Sequence, residues 1–154
     1  DFGFAWEDIC GKTGPLVSPD IFRECVAPGY LKMRQKLESY GCTIMGLDSD
    51  GYIEPLLKDW MDSGVNFFFP VERGTWDCRA HDLRKKFGKE LRMLGNFDKY
   101  TMERSRADID AEFAVHEPLM REGGFIILPD HLITPDTPLK NFQYYLDKVR
   151  NWRR

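Results

Sequence analysis

Paired cysteines are missing from this chain. Cys10, Cys25, Cys42 and Cys78 are widely scattered and form no CxxC pair. That argues against a zinc site built from thiols alone, and it fits a reduced, cytoplasmic setting better than a disulfide framework. No apolar stretch approaches the length of a bilayer span, and no signal-peptide pattern opens the chain, so no membrane partner is expected. A basic stripe is also missing. The formal net charge is -3, from 22 Lys and Arg against 25 Asp and Glu, and nothing carries the footprint of a nucleic-acid binder. Arg153-Arg154, after Trp152, reads as a solvated helix end. Low-complexity tracts and Pro/Gly/Ser linkers are lacking too. A chain of 154 residues without them is expected to fold around one core as one domain.

What the chain does contain is a repeated unit. Four short apolar runs each end in acidic or polar residues. Ile44-Met45-Gly46-Leu47 runs into Asp48-Ser49-Asp50-Gly51, and Asn66-Phe67-Phe68-Phe69 into Pro70-Val71-Glu72. Leu91-Arg92-Met93-Leu94-Gly95 runs into Asn96-Phe97-Asp98-Lys99, and Phe125-Ile126-Ile127-Leu128 into Pro129-Asp130-His131. A helix-like stretch separates each run from the next. Strands joined by helical crossovers must lie parallel. The pattern is that of an α/β parallel barrel of the (β/α)8 TIM-barrel type, whose chemistry sits on the loops after the strands. Asp1-Phe2-Gly3-Phe4-Ala5-Trp6 reads like the end of a strand without its beginning, and a complete barrel takes about 250 residues. The expectation is therefore the last four to five βα units of a longer protein.

The helices have legible boundaries. Ser18-Pro19 is a capping hydroxyl followed by proline at the first helical position. It predicts a helix to about Tyr40, kinked or interrupted at Pro28-Gly29 and stopped by Gly41. Cys42 to Leu47 is predicted as a strand. Ile53 to Asp62 reads as a helix with Leu56, Leu57, Trp60 and Met61 on one face. Val65 to Phe69 reads as a buried strand, Asp77 to Phe87 as a helix, and Glu90 to Gly95 as a strand. Ser105 and Asp108 have capping-box spacing and start a helix to about Arg121 despite Pro118. Gly123-Gly124 ends it, before a strand over Phe125 to Leu128. Pro138 opens the last helix, with Leu139, Phe142, Leu146 and Val149 at helical spacing.

The candidate site follows from the loops. Asp48 and Asp50 are two apart in extended chain, so their carboxylates face the same way, and Gly51 permits a sharp turn after them. Such a pair can bind a metal, accept N–H donors or share a proton. It can equally cap the next helix. His131 can donate a hydrogen bond, move a proton near neutral pH or ligate a metal. Glu72, Asn96, Asp98 and Asp130 occupy matching places and are candidate substrate-binding residues. Trp6, Trp76 and Phe97 are candidate apolar walls, though aromatics are more often core. His81 and His116 fall in predicted helices as surface or packing residues. An acidic mouth suits a metal ion or a ligand rich in N–H donors. A polyanionic ligand would need arginines, such as Arg73 and Arg79.

Three segments together resemble the uroporphyrinogen decarboxylase superfamily. Gly14-Pro15-Leu16-Val17-Ser18-Pro19-Asp20-Ile21-Phe22-Arg23-Glu24 is similar to its GPLxSPxxFRE stretch. The segment from Lys86-Phe87-Gly88 to Gly95-Asn96-Phe97-Asp98 is similar to its (K/R)FGxxxxxxGNxD stretch. Gly124 to Leu128, then His131, then Pro135-Asp136, is similar to its closing strand and loop. The resemblance covers nearly all of residues 1–154, as the C-terminal part of a single domain. It implies one of two chemistries, with tetrapyrrole decarboxylation the leading expectation and methyl transfer the alternative. The decarboxylases remove carboxylates from the acetate side chains of a tetrapyrrole without a cofactor. The methyltransferases move a methyl group to or from a corrinoid or a thiol, usually with zinc. His131 falls where the decarboxylases place a histidine near substrate and the zinc methyltransferases a cysteine ligand.

One departure bears on both. Many members carry HxCG where this chain has Asp48-Ser49-Asp50-Gly51, and in the methyltransferases that histidine and cysteine bind zinc. Under the methyltransferase reading Asp48, Asp50 and His131 would instead form an oxygen-and-nitrogen site for a divalent metal, serving a corrinoid or a corrinoid protein as partner. Under the decarboxylase reading the same three residues are catalytic, no cofactor is needed, and mouth carboxylates accept pyrrole N–H bonds. A third expectation is an inactive partial barrel whose unpaired edges aggregate or pair into a homodimer.

Overall fold

The computed structural model describes residues 1–74 and 76–153. Arg154, the second half of the terminal basic pair, lies outside the described residues. The chain is α/β. Strands β1 (Gly3–Trp6), β4 (Met45–Asp48), β5 (Phe67–Val71), β6 (Arg92–Phe97) and β7 (Phe125–Pro129) form one parallel sheet in the order β1-β4-β5-β6-β7. Each strand lies beside its predecessor in that sheet. The expected parallel α/β sheet is therefore present, as five strands.

Between β1 and β4 come a small antiparallel hairpin, β2 (Cys10–Gly11) and β3 (Gly14–Pro15), and a long helical segment. Ser18 caps that segment by accepting the Ile21 N–H at 3.2 Å, with Pro19 at its first position. It comprises α1 (Pro19–Ile21), a π-helical stretch (Phe22–Val26) and α2 (Ala27–Glu38). The interruption expected at Pro28 thus takes the form of a wide turn just before it. Proline offers no N–H and its ring crowds the preceding turn, and a π-helical turn relieves that crowding without breaking the helix.

The remaining helices are α3 (Glu54–Asp62), α4 (Ala80–Phe87), α5 (Arg106–Glu122) and α6 (Leu139–Asn151). The capping box at α5 forms as the spacing required, with Ser105 and Asp108 each accepting the other's N–H. Several predicted boundaries shift. The strands predicted from Cys42, Val65 and Glu90 start at Met45, Phe67 and Arg92, and β5 and β6 each run two residues further than predicted. α4 starts at Ala80 rather than Asp77, because Asp77 takes a left-handed φ of 48° that no helix accommodates. On α6 the buried residues are Asn141 and Tyr145, while Leu139 is exposed. Phe142, Leu146 and Val149 pack partly buried against the core beside them, so the expected face docks and only Leu139 points away from it.

The two faces of the sheet differ. Met45, Leu47, Phe68, Met93, Phe125 and Ile127 are buried with Leu56, Leu57 and Trp60 of α3, Leu83 of α4, Phe113 of α5 and Tyr145 of α6. That is the core, and it lies between the sheet and its helices. Residues alternating with these face away from it. Phe4 and Ile126 are exposed, and Phe67 is half-buried. Phe4, Gly46 and Phe67 pair in one row across three strands. A Cβ at Gly46 would stand 2.6 Å from each of the two rings, so glycine is what lets them approach to 6.3 Å.

Candidate functional site

Parallel strands deliver their C-terminal ends to one edge of the sheet, and ligand sites of open α/β sheets lie in the crevice outside those ends. Asp48 closes β4, Glu72 follows β5, Asp98 follows β6, and Asp130 and His131 follow β7. Gly51 then turns the chain at a φ of +80°. Its N–H donates to Glu72 Oε2 at 2.8 Å, which fixes that carboxylate and aims its second oxygen inward.

Three side chains converge. His131 Nε2 lies 3.7 Å from Asp50 Oδ2 and 3.7 Å from Glu72 Oε1. One ligand atom from each of Asp50, Glu72 and His131 falls within 4.8 Å of the other two. A gap of 3.7 Å is too long for a direct hydrogen bond. It is close to the spacing of ligand atoms each about 2 Å from a shared divalent ion, and two oxygens with one imidazole nitrogen are donors that such an ion accepts. The residues present therefore fit a metal. The set differs in one member from the sequence expectation of Asp48, Asp50 and His131, because Glu72 takes the third place.

Asp48 sits beside this cluster. It lines a hollow of about 630 Å³ with Trp6, Phe69, Leu128, Phe142, Leu146, Asp50 and His131. Burial raises the Asp48 pKa, and the neighbouring Asp50 charge raises it further, against the opposing pull of Trp6 and His131. Asp50 also borders a second, more polar hollow of about 610 Å³, with Lys12, Glu72, Trp76, Asp98, Lys99 and Asp130 along its wall. The mouth therefore has an apolar side and a polar side, with the cluster between them.

The other expected site residues divide by what they bind. Asn96 is buried at a φ of 65° and its carboxamide is fully engaged. Its oxygen accepts the Ala80 N–H at 2.8 Å, and its nitrogen donates to Cys78 O at 2.9 Å and Val71 O at 3.3 Å. Asp98 accepts the Tyr100 N–H at 3.0 Å and caps the 3-10 turn Lys99–Glu103, while still lining the polar hollow. Asp130 is buried and accepts the N–H groups of Arg73 and Lys99 at 3.3 and 3.4 Å. Burial raises its pKa, with Lys99 opposing.

Trp6 and Trp76 do form walls, one in each hollow. Phe97 does not: it is fully buried, 4.6 Å from the Tyr145 ring, because β6 turns it into the core. Arg73 and Arg79, the arginines considered for a polyanion, are both committed. Arg73 donates to Glu112 at 2.8 Å and Asp77 at 3.2 Å, and Arg79 to Asp77 at 2.8 Å. All four cysteines are free thiols. No helix among the described residues is long and apolar enough to cross a membrane.

Glu112 was not singled out by sequence. It accepts from Arg73 Nη1, from the Asp98 N–H at 3.3 Å and engages His116 Nε2 at 3.0 Å. Its only signal was its place four residues before His116 on α5, a spacing that puts both on one helix face.

The family model for uroporphyrinogen decarboxylase (URO-D) matches residues 5–152. The chain belongs to that family. No curated protein matches it.

Proposed function

We propose that the protein is a metal-assisted methyltransferase of the uroporphyrinogen decarboxylase family, and that its five strands are part of a (β/α)8 barrel. The observation that carries the reading is the approach of Asp50, Glu72 and His131 at the strand ends. Those three residues would hold a divalent cation, which when bound supplies Lewis-acid polarisation of a leaving oxygen or similar group. The chain's own residues supply the rest. Two carboxylates balance the charge of the ion. Gly51 N–H orients Glu72, a contact of the kind that tunes metal ligands from the next layer out. Trp6, Phe69 and Leu128 offer an apolar wall beside Asp50 for the body of a methoxylated substrate and exclude water from it. The methyl acceptor is a corrinoid, free or protein-bound.

Charge favours this reading over a polycarboxylated substrate. Arg73 and Arg79 already pair with acids, so among the described residues the mouth keeps more free carboxylates than free cations.

Tetrapyrrole decarboxylation is the second reading. Lys12 and Lys99 border the polar hollow and would meet substrate carboxylates, while Asp48 and Asp50 accept ring N–H bonds and His131 orients or donates.

One experiment separates the two. The purified protein is incubated with a methoxylated aromatic and a reduced corrinoid, and separately with uroporphyrinogen. Release of the free phenol, abolished by chelation, supports methyl transfer. Coproporphyrinogen formation that survives chelation overturns it.

A further inference from the structure

Two carboxylates from different elements each bridge the same two loops. Glu112, on α5, takes the Arg73 guanidinium at 2.8 Å and the Asp98 N–H at 3.3 Å. Asp130, after β7, takes the Arg73 N–H at 3.3 Å and the Lys99 N–H at 3.4 Å. The loop after β5 and the turn after β6 are thus clasped from both sides. Arg73 is the shared residue, held by its backbone on one side and its side chain on the other. It directly follows Glu72, whose carboxylate is in the cluster.

We propose that Glu112 is a positioning residue for the mouth. By fixing Arg73 against the turn after β6, it holds Glu72 at the distance from His131 that the three-residue cluster requires. This rests on the reading of Asp50, Glu72 and His131 as metal ligands.

The geometry of Glu112 suits the role. A single oxygen, Oε1, accepts from Arg73, from Asp98 and from His116. Its side chain is 13% exposed and that of Arg73 is 16% exposed, so water competes poorly for these bonds. His116 is fully buried, with its ring 5.4 Å from that of Phe125. Packing therefore fixes the far end of the network, and Glu112 cannot swing away from the loops without breaking it. Sequence gave no hint of this, since Arg73 and Glu112 meet only in the fold.

The test uses the full-length protein with Glu112→Ala and Glu112→Gln, and with Glu117→Ala as a control. Glu117 lies on the same helix and pairs only with Arg121 among the described residues, at 3.9 Å. Cobalt(II) alone is titrated into each protein, and amide hydrogen exchange is followed residue by residue. Glu112→Ala is expected to weaken cobalt binding about tenfold, as loss of an outer-layer partner does. Exchange at Arg73, Asp98 and Lys99 should quicken about tenfold while the middle of α5 stays protected. Glu112→Gln, which keeps an accepting oxygen, should recover part of both, and Glu117→Ala should change neither. Unchanged exchange at the three loop amides overturns the proposal, as does exchange quickened throughout α5, which would mark a structural role only. If the unaltered protein takes up no cobalt, the metal reading fails by itself, and the exchange data alone decide whether Glu112 holds the loops.

Discussion

His131 and Asp50 meet across 3.7 Å at the mouth although three strands separate them in the chain. Parallel pairing makes that possible, because it returns every strand end to the same edge of the sheet. The site is thus a product of topology first and of side-chain chemistry second.

Gly51 is the hinge of the Asp50 loop. At a φ of +80° a side chain is strained, and a Cβ there would stand 2.7 Å from Cys10 O and 2.9 Å from Gly11 O, both backbone atoms. Gly51→Ala is expected to cost about 1–3 kcal/mol of stability. Displacing its N–H also frees Glu72, so metal affinity should drop with it. Chemical denaturation and metal titration of the variant check both effects.

Asn96 is expected to act in the fold and not on substrate. Asn96→Ala strands the Ala80 N–H and the Cys78 and Val71 carbonyls in the interior, and leaving buried groups unpaired should cost about 3 kcal/mol. A denaturation midpoint equal to that of the unaltered protein would contradict this.

Acid stability reports on the clasp. Burial pushes the Glu112 carboxyl up, but bonds from His116 and the Asp98 N–H, with the Arg73 charge, outweigh it and hold the group below the usual glutamate range. Its contribution to stability is present above the unfolded value of about 4.3 and is lost as pH falls through the lower folded value. Glu112→Gln should therefore make the acid limb of stability against pH shallower. Asp130 is shifted the other way by burial. Its contribution is full below the unfolded value and is lost as pH rises through the folded one, so Asp130→Asn should steepen the acid limb. Thermal melts across about pH 3 to 6 read both slopes.

The sequence carried the alternation of strands and helices, the capping box at Ser105 and the convergence of Asp50 and His131. Those signals are local, or follow from order alone. The starts of β4, β5 and β6 were misplaced because an apolar run marks what is buried, whereas pairing with a neighbour decides where the ladder begins. The hairpin of β2 and β3 has no periodicity to read. Asn96, and the bonds of Glu112 to Arg73 and Asp98, depend on partners distant in sequence, and no spacing rule reaches those. Glu72 was legible as a mouth residue, but its membership in the cluster depends on the Gly51 N–H.

Metal content reports directly on whether Asp50, Glu72 and His131 act together. The purified protein, loaded with zinc and freed of excess, should hold about one equivalent per chain. His131→Ala, Asp50→Ala and Glu72→Ala should each lose it while remaining folded by circular dichroism. Retention of a full equivalent by all three variants, or none in the unaltered protein, would rule out a metal held by these residues.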